Sequence, residues 1–151
     1  MEVEIATYLT QVSEGRLSSE SKLEIREMLR EVSEIESIGD SCYNLARTMS
    51  HNVEFTDEQY GHIEQMFQLT DTALTQMIAL IEDTHHAVDV NRSFNLEHEI
   101  NNYRDQLKDR NVVDINEKAY NYQTGVHYMD LIAECEKLGD YVVNVVEAHT
   151  E

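Results

Sequence analysis

The sequence predicts an all-α protein that folds as an antiparallel bundle of about five helices. The chain contains no proline and only five glycines among 151 residues, and the lack of proline favours long helices over a turn-rich β fold. Apolar residues recur at three- and four-residue spacing along most of the chain, whereas the alternation typical of strands is nearly absent. No linker is long enough to divide the chain, so residues 1–151 are predicted to form a single domain.

The first two helices are predicted from apolar periodicity and from capping residues. Residues 2–13 have a helical pattern, Gly15 suits a helix C-cap, and Ser18 or Ser19 suits the next N-cap. The second helix is predicted from residue 20 to about residue 51. Its apolar face is a series at three- and four-residue steps: Ile25, Met28, Val32, Ile35, Gly39, Cys42, Ala46 and Met49. This spacing is typical of a helix seam.

Three further helices follow. Thr56 and Gln59 have the spacing of a capping box and begin a third helix at about 57–87. A fourth helix is predicted at about 90–111, with its apolar residues on one face. Asp114 then suits the N-cap of a fifth helix that runs to about residue 149.

The composition limits the classes of partner. The chain has 30 Asp and Glu against 11 Lys and Arg, which gives a formal net charge of −19. Such a charge repels nucleic-acid phosphates and anionic lipid headgroups, so no nucleic acid and no direct lipid binding are expected. Cations or a basic patch on another protein are better partners.

The cysteines and the hydropathy pattern indicate a soluble chain in a reducing compartment. Cys42 and Cys135 form no CxxC pair and are predicted to be small core residues. No signal peptide is visible, and no apolar run reaches the roughly 18 residues needed to span a bilayer.

One polar pattern occurs twice, at an offset of 100 residues. Residues 34–46 read EIESIGDSCYNLA and residues 134–146 read ECEKLGDYVVNVV, and both fit E-x-E-x-x-G-D-x-x-x-N. Such repetition indicates a duplicated unit. Because glycine inside a helix costs about 1 kcal/mol relative to alanine, Gly39 and Gly139 are expected where the backbone of another helix approaches closely.

Each copy of the pattern places three polar residues four positions apart on one helix face. The two sets are Glu36, Asp40 and Asn44, and Glu136, Asp140 and Asn144. Adjacent carboxylates repel each other, and hard oxygen atoms suit Mg, Mn, Ca or Fe better than a thiol-seeking metal. The pattern therefore predicts a candidate site for a divalent or iron-type metal ion. Two alternatives stay open: the acids lie on solvated faces, or duplication preserved packing residues without any metal.

A carboxylate-bridged metalloenzyme is a weaker hypothesis. Glu82 and His85 have the E-x-x-H spacing of di-iron bundles, but no second convincing E-x-x-H lies on another long helix. His85 and His86 are better explained as a helix end. The sequence also has no Gly-rich phosphate loop and no G-x-S-x-G motif.

The two polar copies resemble the signature of the PhoU family of phosphate-response proteins. In that family the last helix of each three-helix repeat carries E-R-I-G-D-x-x-x-N-I. Residues 36–45 match one copy and residues 136–145 match the other, with Ser37 and Lys137 where the signature has arginine.

The resemblance also implies which residues would hold a metal. The family carries an acidic D-x-x-x-D on the preceding helix, and Glu97-His-Glu-Ile-Asn101 matches it in position, with asparagine in place of the second acid. The implied ligands are Glu136, Asp140, Glu97 and the neutral Asn101, with Glu36 and Asp40 as half of a second site.

The resemblance divides the chain into one complete and one partial repeat. Residues 56–151 would form a complete three-helix second repeat, and residues 1–52 a partial first repeat. The remaining helix of the first repeat and its acidic motif would then lie upstream of Met1, in a longer chain.

The N-terminal part resembles, more specifically, the C-terminal domain of bacterial sodium-dependent phosphate cotransporters. The resembling segment extends from EVEIATYLTQVSEG to EIESIGDSCYNLAR. It implies a non-catalytic cytoplasmic domain that regulates phosphate uptake or sensing and belongs to a parent protein of the inner (plasma) membrane. Its partner would be the transmembrane part of that parent, and a homo-oligomer is also possible. The alternative is a free-standing regulator that binds a transporter or a sensor kinase.

Overall fold

Five α-helices make up most of the protein. The computed structural model describes residues 1–150, and among them there is no strand. The helices are α1 (Glu2–Ser13), α2 (Ser19–Met49), α3 (Asp57–Glu82), α4 (Val90–Asn116) and α5 (Tyr122–Thr150). The predicted all-α class is confirmed.

Two predicted helix starts are confirmed by their hydrogen bonds. The Ser18 hydroxyl accepts from the backbone N–H of Ser21 at 3.1 Å, at the start of α2. At the start of α3, the Gln59 N–H donates to the Thr56 hydroxyl at 3.1 Å, and the Gln59 side chain accepts from the Thr56 N–H at 2.9 Å. This reciprocal pair satisfies two N–H groups that otherwise lack partners at a helix start.

The predicted boundary between α4 and α5 is wrong. Asp114 does not cap α5; it is buried inside α4, which continues to Asn116. Its carboxylate lies 2.9 Å from Arg110 Nε, one helical turn earlier in the same helix. The cap of α5 is Asn121, whose side-chain oxygen accepts from the N–H of Thr124 at 2.8 Å.

Helix α5 is the central element of the bundle. It packs against α2, α3 and α4, whereas α1 packs only on α2 among the described helices. The largest fully buried side chains lie mainly on α5: Leu131, Ile132, Leu138, Val142, Val145 and Val146, together with Met66 and Ile100. The pattern of α5 is accordingly apolar on several sides.

The apolar face predicted for α2 is largely exposed. Met28, Ile35 and Met49 keep 47%, 45% and 42% of their surface accessible, and Cys42 is also exposed. α2 instead packs on α5 through a neighbouring face that includes the buried Ile38. The prediction of two core cysteines is therefore wrong for Cys42, because no described helix covers it, although Cys135 is fully buried.

No helix within residues 1–150 is both long and apolar enough to cross a bilayer.

The third helix ends at Glu82, earlier than predicted, so Glu82 and His85 do not share a helix. The E-x-x-H arrangement on which the di-iron hypothesis depended is therefore not formed.

Candidate functional site

A close contact between α4 and α5 positions the candidate site. A Cβ atom on the buried Gly139 would lie 3.2 Å from Ile100 Cδ1, a distance tighter than ordinary packing. A side chain larger than hydrogen at this position would require Ile100 to shift by a few tenths of an ångström. A helix backbone was expected close to Gly139, but the atoms that lie close are those of the Ile100 side chain.

Four predicted ligands lie along this junction. Glu97 and Asn101 occupy successive turns of α4, and Glu136 and Asp140 occupy successive turns of α5. Burial and the nearby charge of Glu97 raise the pKa of Asp140, and the charge of Arg104 lowers it. The structure therefore brings side chains from both helices into one acidic cluster.

A fifth residue of the cluster is Arg104, which the sequence reading missed. Its Nη1 atom lies 3.7 Å from Glu136 Oε2, and its Nε lies 2.9 Å from Asp105 Oδ1. Arg104 follows Glu97 by seven residues, about two helical turns, and so shares its face of α4. That spacing is the signal that could have placed a guanidinium in the cluster.

The electrostatics show that the carboxyl groups are crowded. Burial raises the pKa of Glu136, and the negative charges of Asp140 and Glu97 raise it further, while Arg104 lowers it. Burial and the charge of Glu97 likewise raise the pKa of Asp140 above its usual range, while Arg104 opposes the shift. The single positive charge of the Arg104 guanidinium therefore offsets only part of the negative charge of the three carboxylates.

The donor set suits a hard cation. The Asn101 amide donates a hydrogen bond to Glu97, and its Oδ1 is buried without a partner. Carboxylate and amide oxygens are ligands of Mg²⁺, Mn²⁺ or Ca²⁺. However, within residues 1–150 no three His, Cys, Asp or Glu side chains converge closely enough to hold a metal ion. Metal binding by this cluster stays a prediction.

The first copy of the pattern is in a different environment. Glu36, Gly39 and Asp40 are all exposed, and a Cβ atom on Gly39 would meet nothing within 4 Å. The expectation of a close helix neighbour is wrong for Gly39, because no described helix lies over it. Within residues 1–150, neither Glu36 nor Asp40 belongs to a group of three His, Cys, Asp or Glu side chains that could hold a metal ion.

The outer residues of the pattern join its two copies. The Asn144 amide donates to the Glu34 carboxylate at 3.1 Å, and the Asn44 amide donates to Glu134 at 3.4 Å. Each copy thus supplies its asparagine to the first glutamate of the other, across an antiparallel pair of helices. The two asparagine side chains therefore connect α2 to α5 by hydrogen bonds.

A separate polar cavity lies at the α3 start and the α4 end. Its volume is about 370 Å³, and Tyr128, His62 and Arg110 lie in its wall. The Tyr128 hydroxyl is 2.9 Å from His62 Nδ1. The wall also includes four acids: Asp57, Glu58, Asp114 and Glu117. This excess of negative charge opposes phosphate binding there.

The fold and the motif define a class of protein. It is a helical-bundle domain in which two copies of an acidic pattern meet on antiparallel helices. The model of the PhoU domain family matches residues 63–148, more than half of the chain and including the second copy of the pattern. The chain belongs to the PhoU family, whose general role is regulation of phosphate transport. No curated protein and no solved structure shows significant similarity to it.

Proposed function

We propose that this chain is a regulatory, non-catalytic PhoU-like domain of a sodium-dependent phosphate cotransporter. The match to the PhoU family supports the link to phosphate transport. The resemblance of the α1–α2 segment to the C-terminal domain of these cotransporters supports the finer assignment. The proposed location is the cytoplasmic side of the inner (plasma) membrane.

The observation that supports a regulatory role is the unequal burial of the two copies of the pattern. The second copy of the pattern lies at a closed junction, whereas the first lies on a helix whose apolar face is exposed. A large exposed apolar face on a soluble helix is typical of an interaction surface. Under the proposed function, its partner is the transmembrane part of the parent transporter.

The location test is a blot of fractionated source cells with an antibody against this chain. A band much larger than 17.5 kDa in the membrane fraction is the expected result. A small band in the supernatant would favour the alternative, a free-standing regulator that binds a transporter or a sensor kinase.

The functional test is an in-frame deletion of the 151 residues, followed by measurement of radiolabelled phosphate uptake. We expect altered uptake, or altered dependence on external phosphate, at an equal amount of transporter in the membrane. Unchanged uptake under phosphate-poor and phosphate-rich conditions would contradict the regulatory role.

Metal binding is a separate proposal. Glu136, Asp140 and Glu97 would supply carboxylate oxygens to a divalent or iron-type cation, and Asn101 a neutral oxygen. A bound cation would supply the positive charge that Arg104 provides only in part.

The metal proposal predicts the behaviour of a double variant. Addition of Mn²⁺ or Mg²⁺ should raise the Tm of the native chain, because a ligand that binds only the folded state stabilises it. Glu136→Ala with Asp140→Ala should remove this shift, as measured by calorimetry at constant ionic strength. The double variant Glu20→Ala with Glu24→Ala, on the exposed start of α2, is the charge-matched control. An equal shift in both double variants would contradict the site.

A further inference from the structure

The polar cavity at the start of α3 and the end of α4 has a buried floor and an exposed acidic rim. Its volume of about 370 Å³ lies within the range of small-ligand sites, roughly 300–1,000 Å³. Gln59 and Tyr128 keep 2% of their surface accessible and Asp114 keeps 8%, and we call these three residues the floor. We call the exposed carboxylates of the wall the rim: Asp57, Glu58 and Glu117.

The floor contains a hydrogen-bond donor without an acceptor. Gln59 Oε1 accepts from the N–H of Thr56 at 2.9 Å, and this capping bond fixes which end of the amide is the free one. The other end, Nε2, is buried and has no hydrogen-bond partner within residues 1–150. Burial raises the pKa of Tyr120 and the nearby Gln59 amide opposes this shift, although the phenol lies outside hydrogen-bond geometry.

The other buried polar groups of the cavity have partners. The Tyr128 hydroxyl lies 2.9 Å from His62 Nδ1, and the Tyr120 hydroxyl donates to Asn111 Oδ1 at 2.6 Å. The Asp114 carboxylate is paired with Arg110. Because a buried donor without an acceptor costs free energy, an oxygen atom placed beside Gln59 Nε2 would be stabilised there.

The rim carries negative charge that the protein offsets only in part. The hydrogen bond and charge of Asp114 raise the pKa of Arg110, and the charges of Glu58 and Glu117 raise it further. Within residues 1–150, no lysine or arginine forms an ion pair with a rim carboxylate, and the imidazole of His62 lies 4.0 Å from Glu58. Lys118 follows Glu117 in the chain but is not part of the wall. The rim therefore favours a cation.

The spacing of the acids indicates which kind of cation fits. Among residues 1–150, no three His, Cys, Asp or Glu side chains converge closely enough to hold a metal ion. A metal ion needs several oxygen atoms around one point, whereas an ammonium group at the end of a flexible chain needs only one carboxylate nearby. An organic cation therefore suits this rim better than a metal ion.

We propose that the cavity binds a small organic cation, a primary amine whose oxygen atom accepts a hydrogen bond from Gln59 Nε2 and whose ammonium group lies at the rim. Because the oxygen end is buried, the ligand is a free small molecule. A lysine side chain or a lipid headgroup does not fit, since its oxygen end is attached to a larger molecule. This inference does not depend on the role in phosphate transport.

The probe is δ-aminovaleramide, which has a carbonyl oxygen at one end and an ammonium group at the other, with its homologues one methylene shorter and longer. NMR titration of the isotopically labelled chain, at fixed pH and ionic strength, follows the side-chain amide of Gln59. We expect a saturable shift of this signal. No saturable shift with any of the three probes would overturn the proposal.

Two control compounds each lack one of the two interactions. Pentylamine has no carbonyl oxygen and valeramide has no ammonium group, so each should bind about tenfold more weakly than δ-aminovaleramide, the factor expected for one hydrogen bond or ion pair. Equal binding of pentylamine would show that water satisfies the Gln59 amide, and the proposal would be wrong.

Gln59→Glu separates the hydrogen bond from general attraction to an acidic protein. Glutamate keeps the capping acceptor but removes the donor, so δ-aminovaleramide should bind this variant about as weakly as pentylamine does. Charge alone predicts the opposite, since the variant is more acidic. A Kd for δ-aminovaleramide that is unchanged or lower in Gln59→Glu would contradict the assigned hydrogen bond.

A pair of double variants tests the rim without changing the floor. Glu58→Gln with Glu117→Gln removes two rim charges and should weaken binding of δ-aminovaleramide about tenfold. Glu20→Gln with Glu24→Gln, on the exposed start of α2, makes the same change in net charge away from the cavity and should leave the Kd unchanged. Equal Kd values for the two double variants would overturn the proposal.

Discussion

Arg104 is the residue that most changes the chemistry expected of the acidic cluster. The ligand pattern predicts carboxylates that need a cation, and the structure supplies part of that charge from within the protein. The cluster is therefore a junction of α4 and α5 whose negative charge the protein itself neutralises in part. The Oδ1 atom of Asn101 in this cluster is buried without a partner.

Removal of Arg104 should raise the pKa values of Glu136 and Asp140 further, because Arg104 lowers both. A carboxyl whose folded-state pKa is raised favours folding below its unfolded-state pKa, and this contribution is lost as pH rises through the folded-state pKa. Arg104→Met should therefore lower the Tm at pH 7, and the loss should diminish toward pH 4.

NMR titration of the side-chain carboxyl carbons and Tm measurements across this pH range check the prediction. Arg92→Met is the matched control, since Arg92 is an exposed arginine near the start of the same helix. Unchanged pKa values in Arg104→Met would show that the guanidinium does not act on the cluster.

At the scale of the element, the two glycines of the repeated pattern have different roles. Gly139 lies under Ile100, which is fully buried and has little room to move, whereas Gly39 faces open space. The same glycine of the pattern is thus closely packed in α5, whereas in α2 no described contact favours a glycine.

Alanine at these positions should have opposite or clearly unequal effects. Gly39→Ala should stabilise the fold by about 0.5–1 kcal/mol through helix propensity alone. Gly139→Ala gains the same propensity but forces Ile100 to shift, so it should be less stable than Gly39→Ala by about 1–2 kcal/mol. Urea unfolding of the two variants measures the difference, and equal stabilities would mean that Ile100 adapts without cost.

The observed starts and ends of the helices show which local sequence signals were sufficient to predict a helix boundary. The capping side chains of Ser18 and Thr56 predicted the starts of α2 and α3 correctly, because their hydrogen bonds are local. Asp114 misled the prediction because an aspartate can cap a helix or pair with an arginine one turn earlier. In the structure Asp114 lies inside α4 and pairs with Arg110.

At the scale of the whole molecule, reciprocal contacts between the repeats explain why the pattern occurs twice. Asn44 and Asn144 each reach the first glutamate of the other copy, and this requires both copies on antiparallel helices. Hydrogen bonds to charged acceptors are stronger than those between neutral groups. The duplicated pattern therefore contributes to the packing of α2 on α5, whether or not a metal binds.

The overall charge predicts a response to salt. At −19 the folded chain repels itself, and raising NaCl from about 0.01 M to about 0.15 M shortens the screening length from about 30 Å to about 8 Å. We expect the Tm to increase over this range, and calorimetry at fixed pH measures it. A constant or falling Tm would show that local ion pairs outweigh the net repulsion.

The sequence by itself determined the helical class, two capped helix starts, the duplicated pattern and the resemblance to the PhoU family. These follow from residues close together in the chain: periodicity, capping spacing and a short motif are local properties. The burial of Cys135 was also predicted, from the residue type, and is confirmed.

Only the tertiary structure decided which apolar face is covered. The series of α2 that includes Met28 and Ile35 has the spacing of a buried seam, yet no described helix covers these residues. Periodicity shows that a face can be buried but does not specify its neighbour. The sequence did not predict that Arg104 lies beside Glu136, or that Glu36 and Asp40 are exposed, for the same reason. Each of these facts depends on which helix of the bundle lies opposite.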